Sequence, residues 1–171
     1  PMSKLHFVGV GGSGMSALAV YHASCGGVVT GSDRAFDNNE RKEIRTALEG
    51  SGVLIVPQDG AGVSKDCDGV VVSTAIEETI PDVISARKYD IPILHRSELL
   101  AKFVSEKRTI AVTGTSGKST TVAMIFEVLK YAGLEPSVIT GGPLQMLKAP
   151  GNVFAGTGDF LVIEADESDG S

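Results

Sequence analysis

Leu5-His6-Phe7-Val8-Gly9-Val10-Gly11-Gly12-Ser13-Gly14-Met15-Ser16 runs from an apolar β-type segment through G-x-G-x-x-G into residues at helical spacing. A strand, a glycine loop and a helix in that order open a nucleotide-binding βαβ unit. Gly9 permits the tight turn, Gly11 lets the backbone approach a diphosphate, and Gly14 lets the helix pack close to the strand. Free N–H groups at the positive end of the helix, beginning near Gly12 and Ser13, would hold the anion. Asp33 follows roughly twenty residues later, where an acid can hold a ribose hydroxyl. It can equally cap a turn. A nicotinamide dinucleotide and any nucleotide diphosphate with a free ribose, such as a UDP-sugar, both suit this pattern.

Outward from that loop, strand-like and helix-like segments alternate. Strands are expected over 5–8, 28–30, 53–56, 69–72 and 91–94. Helices are expected over 15–24, 40–49 and 81–89, and from Ser97, as cap, to about Val104. Asn38 or Asn39 would cap the second of these, and Pro81 suits a first helical turn. Apolar strands alternating with helices indicate a parallel sheet covered on both faces. The fold class is therefore α/β, a Rossmann-like parallel sheet over residues 1–106. The charged stretch Ser105-Glu106-Lys107-Arg108 marks a boundary. Residues 107–171 then begin a second, P-loop α/β unit: strands over 109–112, 137–140 and 160–163, and a helix over 119–131 closed by Gly133. Three strands and one helix make a thin domain, so the chain is expected to be a piece of a longer protein.

That second unit carries its own glycine loop, Thr113-Gly114-Thr115-Ser116-Gly117-Lys118-Ser119-Thr120-Thr121. It departs from G-x-x-x-x-G-K-[ST] in having Val112 at the leading glycine position, with Gly114 two places later. The working parts remain. Backbone N–H groups of Gly114, Thr115, Ser116, Gly117 and Thr120 can cradle phosphates, Lys118 can reach the β- and γ-phosphates, and the Ser119 hydroxyl can ligate Mg²⁺. The strand over 160–163 runs into Glu164-Ala165-Asp166-Glu167-Ser168-Asp169. Acids at the end of a strand beside a P-loop are placed to complete a Mg²⁺ site. A solvated acidic turn is the plainer alternative.

Bulk properties narrow the classes. The 171 residues are 42% hydrophobic and 21% charged, with a net charge of −6 and no basic run. A nucleic-acid surface is therefore not expected. No apolar stretch is long enough to span a bilayer. No basic-then-apolar leader pattern is present, so the expected compartment is the cytoplasm. Cys25 and Cys67 form no metal or redox motif. His6, His22 and His95 are too scattered for a metal cluster.

Taken together, the motifs resemble the Mur ligases, ATP-dependent amide-forming enzymes of bacterial cell-wall synthesis. The resemblance spans nearly the whole chain. It rests on residues 7–16, Gly31-Ser32-Asp33, Val72-Ser73-Thr74-Ala75-Ile76, Arg96-Ser97-Glu98-Leu99-Leu100, the loop from Thr113 to Thr121, Gly151-Asn152, and the string from Glu164 to Ser171. That last string is the most specific, and it is similar to the alanine-adding branch and to the murein-peptide recycling branch. The alanine-adding members usually carry histidine where this chain has Ser116 and threonine where it has Ser119, which leaves the branch open. The resemblance implies UDP-N-acetylmuramate at the first loop, on Gly9, Gly11, Gly12, Ser13, Gly14 and Met15. It adds Ser32 and Asp33 after the second strand, and Ser73, Thr74 and Ala75 after the fourth. It implies ATP on Lys118 and its loop, Mg²⁺ on Ser119 and Glu164, and an amino acid or peptide as the amine. It also implies that this chain alone binds the sugar nucleotide without turning over. A nicotinamide oxidoreductase, a P-loop ATPase or kinase, and a non-catalytic UDP-sugar module are the competing readings of the same residues.

Overall fold

The computed structural model describes residues 3–73 and 77–165. The first sheet is built from β1 (Lys4–Val8), β2 (Val28–Ser32), β3 (Val53–Ile55), β4 (Gly69–Val72) and β5 (Ile93–His95) in the order β3-β2-β1-β4-β5. Every pairing in it is parallel. β1 and β4 are buried almost throughout, as strands covered on both faces must be. Their side chains alternate between two cores. Leu5, Phe7 and Val71 meet Met15, Leu18, Leu99 and Phe103 on one face. Val8, Val70 and Val72 meet Val83, Ala86 and Ile91 on the other. The covering helices are α1 (Ser13–Ser24) and α5 (Arg96–Ser105) on the first face and α4 (Pro81–Lys88) on the second. Chain direction around the sheet reverses between β1 and β4, which leaves a crevice beyond their carboxyl ends.

The second sheet contains β6 (Arg108–Val112), β7 (Ser137–Ile139), β8 (Val153–Phe154) and β9 (Phe160–Glu164), ordered β6-β9-β7-β8. β9 pairs in parallel with both β6 and β7, and β8 is antiparallel to β7. α6 (Lys118–Tyr131) covers one face, with Val122 and Phe126 against Val138 and Val162. The other face does not form a separate core. Ile139, Val153, Leu161 and Ile163 join Met15, Leu18, Tyr21 and Phe103 of the first unit in one cluster, and the Tyr21 and Phe103 rings lie 4.7 Å apart there.

Local details depart from the sequence-based expectation at several points. Two short elements were not foreseen, α2 (Arg34–Asp37) and β8. α2 exists because Asp33 caps it, accepting from the Ala35 N–H at 2.9 Å. α3 (Lys42–Gly50) is preceded by Arg41 at φ 52°, with no side-chain cap, so neither Asn38 nor Asn39 caps it. Asn38 instead closes α2, and Asn39 turns the chain at φ 58°. β5 begins at Ile93 and not Ile91, because Pro92 has no N–H to give to the ladder; its carbonyl accepts from Val70 at 2.9 Å. α5 is capped by His95 rather than Ser97, in a capping box with Glu98, whose carboxylate accepts from the His95 N–H at 2.8 Å.

Candidate functional site

The first glycine loop is held from β2. Gly9 takes φ +71°, a left-handed value natural to glycine. The Gly9 and Val10 N–H groups both donate to the Ser32 carbonyl, at 2.8 and 3.0 Å. The Gly11 N–H donates to Asp33 Oδ2 at 2.9 Å. Asp33 thus caps α2 with one oxygen and ties down the loop with the other, so the turn-capping reading of this residue is what the geometry displays. Gly11 has no room for a side chain: a Cβ there would lie 2.8 Å from Asp33 Oδ2 and 3.0 Å from the Phe36 ring. Gly14 was expected to ease helix–strand packing. Its neighbour is instead Arg96, whose Nη1 would lie 2.6 Å from a Cβ. Gly12 is the N-cap of α1 and Ser13 is exposed beside it.

Met15 and Ser32 are buried beneath the loop, at 3% and 0% exposure. Met15 belongs to the core and Ser32 to a polar network, so their side chains support the loop and do not face the crevice. The crevice is a cavity of about 240 Å³ lined by Gly9, Asp33, Arg34, Gln58, Ser73 and Glu77 among others. Thr74 and Ala75 lie outside the described residues.

Under the crevice sits a fully buried cluster that sequence reading passed over. His6 donates or accepts at Thr30 Oγ1 through Nδ1 (2.8 Å) and meets Asp82 Oδ2 through Nε2 (3.0 Å). The Ser32 hydroxyl donates to the same Asp82 oxygen, and the Gly60 N–H donates to Oδ1 at 2.8 Å. Burial pushes the Asp82 carboxyl up, but hydrogen bonds from His6, Ser32 and Gly60 and the His6 charge outweigh it and hold the group below its ordinary value.

The second loop is built on the other sheet. Gly114 and Gly117 take φ +139° and +77°, and Gly117 is the N-cap of α6, which opens at Lys118. Thr113, Gly114, Thr115, Ser116, Gly117, Ser119 and Thr120 are exposed, so the loop and the helix N-terminus face solvent. β6 and β9 run parallel with Val112 opposite Glu164. That register sets Glu164 beside the loop that leaves β6. The Ser119 hydroxyl lies 3.2 Å from both Glu164 carboxylate oxygens, and the Gly141 N–H donates to Oε2 at 3.3 Å. A hydroxyl and a carboxylate so close are hard oxygen donors, the set Mg²⁺ takes together with phosphate oxygens and water. Among the described residues no group of three or more His, Cys, Asp or Glu gathers for a metal; a Mg²⁺ held partly by phosphates needs fewer. Residues 166–171, the rest of the acidic string, lie outside the described residues.

A second cavity, of about 250 Å³, lies between the two units, reaching Gly14 of the first loop and Glu164, the partner of Ser119. Gly14, His95 and Arg96 line its first-unit side, Thr140, Gly141 and Glu164 its second-unit side, with Leu18, Leu100, Ile139 and Ile163 as walls. Asn152 fastens the units close by. Its Nδ2 donates to the Ser13 carbonyl at 2.8 Å and to Ser16 Oγ at 3.3 Å. Its carbonyl accepts from the Thr140 N–H at 2.9 Å. The Asn152 Oδ1 is buried with no partner among the described residues. Arg96 and Asn152 were visible in the sequence only as parts of motifs; nothing local marks a residue whose contacts lie 82 or 139 positions away.

The match to known proteins follows the same residues. The family model described as Mur ligase family, catalytic domain, matches residues 4–108. The chain is 43% identical over 170 residues to UDP-N-acetylmuramate–L-alanine ligase of Dechloromonas aromatica, covering 99% of this chain and 35% of that protein. It is 45% identical over 168 residues to the protein of the same name from Symbiobacterium thermophilum, covering 98% and 33%. The crystal structure of UDP-N-acetylmuramate-alanine ligase MurC from Thermotoga maritima superimposes with a TM-score of 0.81 at 37% identity, over 96% of this chain and 37% of that one. The crystal structure of UDP-N-acetylmuramate:L-alanyl-gamma-D-glutamyl-meso-diaminopimelate ligase (MPL) from Neisseria meningitides also reaches 0.81, at 27% identity over 99% and 54%. The chain spans about a third of the length of the curated relatives it matches. With the first glycine loop inside the family match and the matches to relatives running over 98–99% of the chain, the chain belongs to the Mur ligase family.

Proposed function

We propose that this chain is the sugar-nucleotide- and ATP-binding part of a ligase that joins UDP-N-acetylmuramate to L-alanine in the cytoplasm. The observation that carries the reading is the cavity between the units, which touches both α1 below the first glycine loop and Glu164 beside the second. An acceptor held by its diphosphate at the first loop can extend through that space toward a nucleotide at the second. Residues 1–106 would bind the acceptor, through Gly9, Gly11, Gly12, Ser13 and Gly14 at the diphosphate and Asp33, Ser73, Thr74 and Ala75 in the crevice. Met15 and Ser32 would support these from beneath. Residues 107–171 would bind ATP through Gly114, Thr115, Ser116, Gly117, Lys118 and Thr120.

The reaction is the attack of the acceptor carboxylate on the γ-phosphate, giving an acyl phosphate and ADP, then displacement of phosphate by an amine. Mg²⁺ held by Ser119 and Glu164 would supply charge neutralisation on the phosphates. The chain's own residues position and neutralise. Lys118, the first residue of α6, adds a cation where the helix N-terminus already favours negative charge. The interunit cavity, walled by Leu18, Leu100, Ile139 and Ile163, limits water around the reacting carboxylate. No nucleophilic side chain is required.

The murein-peptide branch is the second reading, supported by the equal TM-score of the MPL structure. The test is an assay of the full-length parent with UDP-N-acetylmuramate, ATP and either L-alanine or the tripeptide. ADP release with L-alanine is the expected result, and release only with the tripeptide assigns the other branch. Lys118→Ala should lower ADP release by roughly 100-fold or more, on the scale of a lost electrostatic contact to transferring phosphate. It should leave UDP-N-acetylmuramate binding within about twofold, since Lys118 lies on the other loop. Saturable NADH binding that UDP-N-acetylmuramate does not displace would replace this reading with a dehydrogenase.

A further inference from the structure

Asp82 is the one carboxylate among the described residues that is wholly excluded from solvent, and nothing in the proposed chemistry uses it. It sits at the start of α4, just after Pro81. Its partners come from three other segments: His6 of β1, Ser32 at the end of β2, and Gly60 in the connection after β3. Ser32 and Asp82 itself adjoin walls of the crevice. The Ser32 carbonyl holds the Gly9 and Val10 N–H groups. Ser32 adjoins Asp33, and its hydroxyl lies 3.5 Å from Gln58 Nε2. Ile80 and Val83, flanking Asp82, line the same cavity as Gly9, Asp33 and Gln58.

Stability alone does not call for a charge here. Burying a carboxylate is costly, and a buried ionic cluster can often be exchanged for apolar residues of similar volume without loss of stability. What apolar residues cannot do is fix direction. The Asp82 carboxylate takes three donors at set angles and so fixes β2, the connection after β3 and α4 relative to one another. Gly60 shows how closely these parts meet: at φ +88°, a Cβ there would lie 2.6 Å from Ser85 Oγ and 3.0 Å from the Pro81 carbonyl oxygen.

We infer that Asp82, acting through Ser32 and Gly60 and braced by His6, is a positioning residue that holds the first glycine loop and the crevice walls in the geometry that receives the nucleotide diphosphate. The identity of the ligand rests on the function proposed above; the ordering of the loop does not. Two variants of the 171-residue chain test it. Asp82→Asn keeps the shape and removes the charge. The pair His6→Leu with Asp82→Leu removes the cluster while filling its space. Both are measured for thermal unfolding, for UDP-N-acetylmuramate affinity by calorimetry well below the melting temperature, and for hydrogen exchange at the Gly9 and Val10 amides. The expected result is an affinity loss of tenfold or more and faster exchange at both amides, in whichever variant keeps a cooperative transition. A folded variant with affinity within twofold of the parent chain and unchanged exchange overturns the inference and leaves Asp82 with a purely structural role. If the unsubstituted chain itself fails to bind UDP-N-acetylmuramate, the proposed function fails, and the exchange rates still decide the part played by Asp82.

Discussion

Gly11 and Gly12 are neighbours in one motif, yet the structure asks for them on different grounds. At Gly11 a methyl group would press on Asp33 Oδ2 and Phe36. Phe36 is 2% exposed in the core, and Asp33 is tied to two N–H groups, so neither can yield easily. Gly11→Ala should therefore cost about 1–3 kcal/mol by overpacking. For a chain of this size that lowers the melting temperature by about 2–12 °C. At Gly12 the nearest atom to a Cβ is the Gly9 carbonyl oxygen at 3.5 Å, an ordinary contact, and the backbone angles of −67° and 144° suit any residue. Gly12→Ala should change stability by less than about 1 kcal/mol, the scale of an N-cap change. If the diphosphate lies over this helix end, the same substitution weakens UDP-N-acetylmuramate binding by tenfold or more. Thermal melts and calorimetry on the two variants separate the glycine the fold requires from the one the ligand requires. The sequence could not make that distinction. G-x-G-x-x-G names the spacing, whereas the atoms that crowd Gly11 and Gly14 belong to Asp33, Phe36 and Arg96.

Among the elements, the strands and long helices were legible because their signal is local. The apolar runs at β1 and β4, the proline at the start of α4 and the loop-to-helix transition at Lys118 each occur within a few residues. Very short elements, and those held by distant partners, were not legible. β8 is two residues long and exists by pairing with β7; α2 exists by the Asp33 cap. Asn152, just before β8, belongs to the same class. Its amide reaches the Ser13 carbonyl at the start of α1 while its backbone holds Thr140, whose neighbour Gly141 donates to Glu164. A short chain of hydrogen bonds thus joins the two loops through β8 and the turn after β7. Asn152→Ala removes two hydrogen bonds, each worth about 0.5–1.5 kcal/mol, and also a buried acceptor left unpaired, which costs about 1–3 kcal/mol. The terms oppose each other, so the melting temperature of the variant chain should fall by no more than a few degrees, by roughly 1 kcal/mol or less. Ligation by the full-length parent carrying the change should fall by about tenfold or more, because misplacing reacting groups by even an ångström is costly to rate. A large loss of stability with normal ligation would show that the amide serves packing and not the register of the loops.

At the scale of the molecule the two sheets share no strand pairing, yet they share their packing. α5 ends at Ser105 and β6 begins at Arg108, so the charged stretch where a boundary is expected lies between these two elements. What composition could not reveal is that Leu161 and Ile163 of β9 and Val153 of β8 pack into the same cluster as Met15, Leu18 and Phe103. A core shared in this way makes partial unfolding expensive, since opening either unit exposes apolar surface of both. The outer side of the second unit differs. Met124, Val128 and Tyr131 of α6 are 58%, 67% and 96% exposed, and the loop from Thr113 to Gly117 faces solvent. A phosphate site open to water gains little from electrostatic preorganisation, because the dielectric around it stays high. These two properties predict different fates for the two loops in the isolated 171-residue chain. Denaturant unfolding should follow a single transition, with tryptophan-free probes such as circular dichroism and tyrosine fluorescence coinciding. UDP-N-acetylmuramate at about 100 times its dissociation constant should stabilise that transition by about 2.7 kcal/mol, as the residues that line the crevice all belong to the first unit. Addition of ATP, Mg²⁺ and L-alanine should release no phosphate above the uncatalysed level, because the exposed second loop lacks the closure that phosphoryl transfer needs. Two separate transitions would show that the shared core does not couple the units, and measurable ligation would show that the loop at Lys118 needs no further cover.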